Sequence, residues 1–516
     1  MSKSSHPERK GAGVLMVRAA FLRNAAFIIS AGLSFLLVPL IIGALGDRWY
    51  GVWVVVGTFM GYYGLLDFGI ASATQRFLAL EYAKDQQQDA QEIIGTSFLM
   101  FAAIGVAALL ISGGLIFAAP LLVADEADVA LIRKVLAVMA IDIALSFPMS
   151  VFHTVLSSRM RIDLIALINI VKSVVRFCGI FYVTRTTGTI IDLAIVTIMV
   201  NQAANLAVME LARWQMPGRG LTLRRFSMER VRSLLSFGKF TFLAAIGDLL
   251  RFRIDVLVIG YFLGAALVTP YNIALRLHEV AGQVVANVVS GFQPLFVNHY
   301  AKGDVAAVRE RMLTVTRIGL TLSTLISGGV ILIAEPLIDI WVGHEYLAAL
   351  FPLFILRVIS PLGVGQSPGI QVLYAYGRHK YYAYLTVVEA VLNVIISIAL
   401  VSSMGIIGVA LGTAIPFVIA KLFVLPPIIC GTVNLDISRY YRILLGYISL
   451  CALIQLPLLY GLVILEWRDS IWLALPSVAI YEGIAGFAVL FLIIPNHDYA
   501  AIRKVLRHLP ERPAWR

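Results

Sequence analysis

Apolar runs of 18 or more residues recur from one end of the sequence to the other, and each is long enough to cross the hydrocarbon core of a bilayer. In lipid every backbone polar group has to be satisfied within the chain, so runs of this length are expected to form helices. The composition agrees, because 60% of the 516 residues are hydrophobic and 14% are charged, whereas soluble proteins have about 25% charged residues. The sequence therefore predicts an all-α, polytopic membrane protein with about fourteen transmembrane helices.

Basic residues are distributed unevenly among the connections between these predicted spans. Of the 41 Lys and Arg residues, only five fall in the odd-numbered connections, namely Arg48, Arg133, Lys134, Arg185 and Arg468. Most of the others lie in the even-numbered connections and the two tails. Because cytoplasmic loops carry the excess of Lys and Arg, we expect both termini in the cytoplasm. Most of the net charge of +11 then reflects topology, and no nucleic-acid partner is expected.

A basic connection over residues 211–235 divides the chain into regions. We expect an N-terminal lobe of spans 1–6 (residues 1–210), then this cytoplasmic linker, and then a C-terminal lobe of spans 7–12 (236–430). Spans 13 and 14 with a cytoplasmic tail complete the chain (431–516). Since six is an even number, the two lobes would share one orientation and enclose a cleft near the bilayer midplane, as transporters do.

A weak internal repeat accompanies this division. A shift of 218 residues aligns Leu45-Gly46 with Leu263-Gly264, and Trp53 with Tyr271, around equivalent turns. One interpretation is a pair of transporter lobes, and the other is an old duplication that encloses no cavity. The Gly408–Gly412 pair in span 12 forms a GxxxG pattern, which predicts close helix packing rather than chemistry.

Four charges interrupt span 7 in the stretch "GDLLRFRIDVLVIG" (247–260). At 100° per residue Asp248, Arg251 and Asp255 share one stripe of a helix, and such a stripe is expensive against lipid. It is expected either to face the cleft, with Arg251 between two carboxylates, or to join the helices as an internal ladder of ion pairs. Arg253 points away from the stripe and is expected to snorkel towards the membrane surface.

Span 5 carries a second charged face. Lys172 and Arg176 are four residues apart, so they repel each other, and an anionic partner is expected. Asp142 in span 4 offers one negative charge, which is too little for both. Spans 8 and 10 add Arg276, with Glu279 one turn beyond it, and Arg357. This positive excess predicts an anionic substrate such as a phosphate or pyrophosphate.

The predicted substrate site thus has a basic and an acidic set. The basic residues are Lys172, Arg176, Arg251, Arg276 and Arg357, and their expected charge partners are Asp142, Asp248, Asp255 and Glu279. No phosphate loop, HExxH or nucleophile motif is present, and the three cysteines show no metal-ligand spacing. We therefore expect a protein that is not an enzyme and that has no metal or cofactor.

Three segments carry a resemblance to a known family. "IDVLVIGYFLGAALVTPYNIALRL" (254–277) resembles the span 7–8 signature of polysaccharide and oligosaccharide-lipid flippases, through Asp255, Ile259-Gly260, Leu263-Gly264, Tyr271 and Ala274. "IIGALGDRWYGVW" (41–53) and "LLDFGIASATQRFLALEYAKD" (65–85) resemble first-half segments of the same proteins. These flippases belong to the multidrug/oligosaccharidyl-lipid/polysaccharide exporter superfamily, whose layout of six, six and two spans agrees with the predicted one.

This resemblance implies the export of a polyprenyl-pyrophosphate-linked oligosaccharide across the bacterial inner membrane, for O-antigen, capsule or exopolysaccharide. The pyrophosphate would lie among Arg and Lys while the lobes rock between inward-open and outward-open states. Polysaccharide polymerase and other assembly proteins are the implied partners. The sequence departs from the family at Thr269-Pro270, which is expected to stiffen the outer turn before span 8.

Three other classes of membrane protein fit the sequence less well. A multidrug or cation antiporter of the same superfamily should have an acidic and aromatic cleft, whereas the predicted cleft is basic. A membrane polymerase or ligase needs substantial loops on the outer face, and the predicted outer connections are short. Major-facilitator transporters usually have twelve spans, and their basic signature after span 2 is absent from "ATQRFLALEYAKD" (73–85).

Overall fold

A computed structural model of the protein describes residues 8–119, 126–159, 161–186, 188–216, 226–290, 304–464 and 471–493. Across these ranges the backbone is helical apart from short turns, and it contains no strand, so the predicted all-α class is confirmed for them. In chain order the helices are α1 (Glu8–Tyr62), α2 (Ile70–Ala83), α3 (Gln87–Phe117), α4 (Glu126–Ser158), α5 (Ile162–Arg185), α6 (Ile190–Arg213), α7 (Met228–Phe262), α8 (Ala265–Ser290), α9 (Val305–Trp341), α10 (Leu350–Ala375), α11 (His379–Ile419), α12 (Leu425–Val433), α13 (Ile437–Ile464) and α14 (Ile471–Ile493).

Nine segments of the described chain are long and apolar enough to cross a membrane. They are Ala25–Asp67, Gln87–Phe117, Val129–Ser158, Ile162–Arg185, Ile190–Arg213, Val305–Trp341, His344–Ala375, Lys380–Val433 and Ile437–Pro457. The first segment has 43 residues and the segment that begins at Lys380 has 54. A single membrane crossing takes about 20 residues, so each of these two segments is long enough to cross the membrane twice. The protein is thus a multi-pass membrane protein, while the count of fourteen spans, the cytoplasmic termini and the division into lobes stay predictions.

Glycines break both of these long segments. Gly46 in α1 has φ 72° and ψ 169°, and Gly405 in α11 has φ 58° and ψ −139°. A side chain is strained at such positive φ values, whereas glycine adopts them readily. The break at Gly46 falls in the Leu45-Gly46 turn that the internal repeat of the sequence indicated.

The two halves of α11 pack closely across the break at Gly405. A Cβ atom at Gly408 would lie 2.5 Å from the carbonyl oxygen of Leu400, and one at Gly412 would overlap Ser397. Asn393 Nδ2 also donates to Thr413 Oγ1 at 2.9 Å, which joins the two halves by a hydrogen bond. The sequence-based interpretation of the GxxxG pattern as a packing motif is therefore confirmed.

The chain divides into two compact units, Met1–Thr269 and Pro270–Arg516. In the first unit α5 packs against α1, α4 and α6, and α7 packs against α1, α2 and α3. In the second unit α9 packs against α10, α13 and α14, and α10 packs against α11. Each unit thus has helices that bury one another's apolar faces, and the arrangement around α5 positions the site described below.

The turn before α8 lies at Leu263 and Gly264, where Gly264 has φ 88°. Thr269 and Pro270 lie inside α8, so they are not part of the turn that the sequence comparison expected them to stiffen. Thr269 is fully buried, and its Oγ1 donates to the carbonyl oxygen of Asp47 at 2.8 Å. This hydrogen bond ties the first turns of α8 to the segment just beyond Gly46 in α1.

Candidate functional site

A cavity of about 480 Å³ lies between α1 and α5 in the first unit. Its size falls within the range of about 300–1,000 Å³ that is typical of small-molecule sites. Two cations of α5, Lys172 and Arg176, reach this cavity. The full lining consists of Ala26, Phe27 and Ser30 of α1 with Ile162, Ile165, Ala166, Asn169, Lys172, Ser173 and Arg176 of α5. Apart from the two cations, the described lining residues are apolar or carry a neutral hydroxyl or amide group. None of them carries a carboxylate.

Helical spacing places these polar residues on one side of α5. Asn169, Lys172, Ser173 and Arg176 follow one another at intervals of three, one and three residues, which keeps them on one face. Ser173 Oγ lies 2.7 Å from Ser30 Oγ, and it also donates to the carbonyl oxygen of Asn169 at 2.8 Å. The serine pair thus joins α1 to α5 at the wall of the cavity.

Arg176 is linked to a buried carboxylate through a neutral amide. Its Nη2 donates to Asn201 Oδ1 of α6, and Asn201 Nδ2 donates to Asp142 Oδ2 of α4 at 2.6 Å. Asp142 is 5% exposed. Among the described residues it forms no ion pair within 4.0 Å with either Lys172 or Arg176. The structure therefore places an amide between the guanidinium and the carboxylate that the sequence suggested as its charge partner.

The second oxygen of Asp142 is also held by an amide. Gln202 Nε2 donates to Asp142 Oδ1 at 2.6 Å and lies 3.1 Å from Ser146 Oγ, which accepts a further hydrogen bond from Asn205 Nδ2 at 3.1 Å. Neutral donors from α6 thus satisfy both carboxylate oxygens. Burying a carboxylate is tolerable when its oxygens are hydrogen-bonded, so Asp142 does not need a cation of α5 as a direct partner.

Both cations keep donors available for a ligand. Lys172 forms no hydrogen bond or ion pair within the part of the chain that the structure describes, and the only hydrogen bond that Arg176 forms there is the one from Nη2 to Asn201. An ammonium carries three donors and a guanidinium five, so most of their capacity is unused. The arrangement is suited to an anion with several acceptor oxygens, which Lys binds as a point charge and Arg through its planar fork.

The predicted stripe of span 7 falls on α7. Asp255 is buried, with 3% of its surface exposed. The side chains of Asp248, Arg251 and Arg253 lie outside the described residues, although the helix backbone runs through these positions. The proposed contact between Arg251 and the two carboxylates therefore stays a prediction.

The two remaining predicted cations lie in the second unit in different surroundings. Arg276 is about half exposed, and its Nη1 lies 3.9 Å from Glu279 Oε2, the residue that the sequence suggested as its partner. Arg357 is fully buried in α10, where Nη2 donates to Ser327 Oγ at 2.6 Å and Nη1 to the carbonyl oxygen of His278 at 3.2 Å. Their roles in substrate binding stay predictions, and Arg357 has no exposed surface in this structure.

A buried ion pair in the second unit was missed by the sequence-based reasoning. Lys421 Nζ lies 3.4 Å from Glu389 Oε2, and both side chains are at most 3% exposed. The ammonium also faces the rings of Tyr382 and Phe417 at 5.0 and 5.5 Å. Lys421 and Glu389 are both ionisable residues inside predicted apolar spans. Lys172 was identified by this same criterion, which would therefore have identified these two residues as well.

Lys421 lies in a short π-helix, Ala420–Val424, between α11 and α12. Carbonyl groups that leave the α-helical pattern in such a segment need other donors. Gln366 Nε2 of α10 donates to the carbonyl oxygen of Lys421, and Tyr441 Oη of α13 donates to that of Leu422 at 2.5 Å. Side chains from two neighbouring helices thus stabilise the irregular backbone that carries the buried lysine.

Comparisons with known proteins agree with this architecture. A low-salt glycan biosynthesis flippase of Haloferax volcanii, described as probable and named Agl15, is 22% identical over 500 residues, which cover 96% of this chain and 99% of that protein. The structure of lipid II flippase MurJ in an inward closed conformation has a TM-score of 0.70 at 15% identity and covers 95% of this chain and 100% of that one. An inward-facing multidrug resistance MATE transporter of the MOP superfamily has a TM-score of 0.65 at 16% identity and covers 80% of this chain and 99% of that one.

These structural likenesses concern the fold, which is thus shared with a lipid II flippase and with a multidrug MATE transporter. The family model described as "Polysaccharide biosynthesis protein" matches residues 50–350, which is more than half of the chain. That range includes α5 with both cavity cations and α6 with the amides that hold Asp142. By this match, the protein belongs to the polysaccharide biosynthesis protein family.

Proposed function

We propose that the protein is a flippase that moves a polyprenyl-pyrophosphate-linked oligosaccharide across the bacterial inner membrane, for the synthesis of O-antigen, capsule or exopolysaccharide. The family match and the glycan flippase of Haloferax volcanii support transport in polysaccharide synthesis rather than catalysis. The observation that carries the proposal is the pair of cations, Lys172 and Arg176, that lines an otherwise uncharged cavity.

The chemistry of the cavity matches the head group of such a substrate. A pyrophosphate that links a lipid to a sugar carries two negative charges, one on each phosphate, and the cavity offers two positive ones. Arg176 would bind phosphate oxygens through its planar donors, and Lys172 would add a compact charge one turn away. The 480 Å³ volume accommodates the pyrophosphate and adjoining groups rather than a whole oligosaccharide.

The polyprenyl chain is proposed to stay in the bilayer beside α5. This helix exposes Val171, Val174 and Val175, with 54%, 42% and 49% of their surfaces accessible. An apolar chain can therefore remain in hydrocarbon while its head group enters the cavity from the side of the same helix.

Transport would proceed by alternating access. Arg251, Arg276 and Arg357 are proposed to contact the substrate along its path, and a polysaccharide polymerase and other assembly proteins are proposed partners.

A multidrug or cation antiporter is the main alternative, because a MATE transporter shares the fold. A site for a cationic substrate needs negative charge or aromatic faces at the ligand. The described cavity has two positive charges, no carboxylate and one phenylalanine in its lining, so the observations favour an anionic substrate. A membrane polymerase is favoured by no observation on the described residues.

Polysaccharide export in cells that lack their own copy of this gene provides the test. Lys172→Ala and Arg176→Ala should each reduce export at least tenfold after normalisation to the amount of protein in the membrane. Arg185→Ala is the matched control, because Arg185 is an exposed arginine on the last turn of the same helix and stacks on Phe181 rather than lining the cavity. Normal export by both cavity variants would refute the role of this cation pair.

A further inference from the structure

Asn201 separates a buried carboxylate from a cation of the proposed site. We propose that this asparagine is a specificity-determining residue: as a neutral spacer it prevents Asp142 from forming a direct ion pair with Arg176, so that the cavity keeps two cationic groups with donors for a ligand and selects a ligand with at least two negative charges. The inference rests on the proposed function, because it specifies the charge of the anion that the cavity between α1 and α5 would take.

The spacer role follows from the direction of the hydrogen bonds. Arg176 can only donate, and an ionised Asp142 can only accept. Asn201 does both at once, since its Oδ1 accepts from Arg176 and its Nδ2 donates to Asp142 at 2.6 Å. A carboxylate at position 201 could accept from Arg176 directly, and an alkyl side chain could do neither.

Asp142 remains satisfied without contacting a cation. Gln202 donates to its other oxygen at 2.6 Å, so amides of α6 hold both oxygens. A direct pair between a guanidinium and a carboxylate is often bidentate, so it would occupy two donors of Arg176 and place a negative charge against it. The amides thus keep the acid buried while they leave these donors of Arg176 available.

The charge left in the cavity indicates the class of ligand. Lys172 and Arg176 are four residues apart on one helix face, where like charges destabilise each other. A ligand with one negative charge would relieve only part of this repulsion. A pyrophosphate diester with two charges would relieve more of it, so lipid-linked pyrophosphates should be favoured over lipid-linked monophosphates.

A charge exchange tests the proposal without altering the overall composition. The double variant Asn201→Asp/Asp142→Asn moves the carboxylate from α4 to α6, next to Arg176. Its hydrogen bonds can all be remade, because the new amide at position 142 can donate to the carboxylate at 201 and accept from Gln202. Only the position of the negative charge changes. If Asn201 had a purely structural role, the affinity for the ligand would therefore be the same in the wild type and in the exchange variant.

Binding is measured on the purified full chain in detergent, with geranylgeranyl diphosphate as probe. Geranylgeranyl methyl phosphate, a diester with one negative charge, and geranylgeraniol, which has none, serve for comparison. The wild type should bind the diphosphate at least tenfold more tightly than the alcohol. The exchange variant should lose about tenfold in affinity for the diphosphate, which corresponds to about 1.4 kcal/mol, and less for the singly charged methyl phosphate diester, at an unchanged melting temperature.

Asn201→Ala keeps the test decisive if the exchange variant does not fold. It removes the spacer, so Asp142 can pair directly with Arg176 and the affinity for the diphosphate should fall about tenfold, whereas Asn201→Ala/Asp142→Asn lacks the carboxylate and should recover most of the wild-type affinity. A loss of tenfold or more that persists in Asn201→Ala/Asp142→Asn would show that the hydrogen bonds of the asparagine matter rather than the charge, and would overturn the inference.

The remaining outcomes separate this inference from the proposed function. Equal diphosphate affinity in the wild type and the folded exchange variant would overturn the spacer role alone. A wild type that binds geranylgeraniol as tightly as the diphosphate would instead refute the proposed function, and the inference with it.

Discussion

Gln455 of α13 fills the space beside Gly328 of α9 in which any side chain at position 328 would have to lie. A Cβ atom at Gly328 would overlap the amide group of Gln455. That amide donates to the carbonyl oxygen of Leu325 at 2.9 Å and to Glu482 Oε1 of α14 at 2.8 Å. One side chain thus joins three helices of the second unit, and the glycine is what allows it to approach the α9 backbone.

Gly328→Ala should therefore destabilise the protein even though alanine is the better helix former. The added methyl group would displace Gln455 and break its hydrogen bonds, and overpacking of this kind costs about 1–3 kcal/mol. Gly446→Ala on α13 is the matched control, because a Cβ atom there meets nothing within 4 Å. Thermal unfolding in detergent should show a lower melting temperature for Gly328→Ala and no decrease for Gly446→Ala. The same melting temperature for both would mean that Gln455 can move aside freely.

The buried pair of Lys421 and Glu389 leads to a second prediction. Glu389→Gln would leave an ammonium in an apolar interior, and loss of one partner of a buried pair costs about 3–5 kcal/mol. The double variant Glu389→Gln/Lys421→Met removes both charges and should recover most of the stability. The measurement is the melting temperature of the single and double variants.

An exposed pair gives the reference for this measurement. Arg213 and Glu210 lie 3.4 Å apart on α6, and both side chains are more than half exposed. Glu210→Gln should leave the melting temperature unchanged, because exposed ion pairs contribute little. If the double variant at positions 389 and 421 is less stable than Glu389→Gln alone, the two charges do not compensate each other as argued.

Arg357 should affect stability more than Arg276 does. Arg357 is fully buried and donates to Ser327 and His278, so Arg357→Ala would open a cavity and remove both of these hydrogen bonds. The expected loss is more than about 2 kcal/mol, in the range of disrupted buried networks. Arg276→Ala removes an exposed side chain and should keep the melting temperature of the wild type. A wild-type melting temperature in Arg357→Ala, combined with loss of export, would instead support a direct role in substrate binding.

Much of the fold follows from patterns that the sequence displays locally. Long apolar runs predict the helices, and the turn after residue 45 coincides with the break at Gly46, because glycine is the residue that tolerates its φ of 72°. The spacing of Lys172 and Arg176 likewise predicts a shared face, and the structure places both at one cavity. In these cases the controlling interactions span only a few residues.

Contacts between distant helices were less accessible to prediction. Asn201 is a neutral amide in an apolar span, and nothing in its neighbourhood along the chain indicates that it lies between Arg176 and Asp142. Lys421 and Glu389 are 32 residues apart, and the π-helix that positions the lysine depends on donors from two other helices. Such partners are determined by tertiary packing, which a single sequence does not display.

The predicted topology can be tested with reporter fusions. Fusions at Gly220 and after Pro510 should report a cytoplasmic location, and a fusion at Asp125 a periplasmic one. The reason is the concentration of Lys and Arg in the even-numbered connections and the tails, which are retained on the cytoplasmic side. These positions lie outside the described residues, so the fusions supply independent information. A periplasmic location after Pro510 would contradict an even number of spans.

The last prediction concerns the planar shape of the Arg176 side chain. Arg176→Lys keeps the positive charge but replaces five donors in a fixed plane by three on a compact ammonium. A lysine could not donate to Asn201 and bind two phosphate oxygens side by side, so polysaccharide export should fall several-fold at normal protein levels. Arg185→Lys, on the exposed end of the same helix, should export normally. If Arg176→Lys exports as well as the wild type while Arg176→Ala does not, the cavity requires a charge at this position but no bidentate contact.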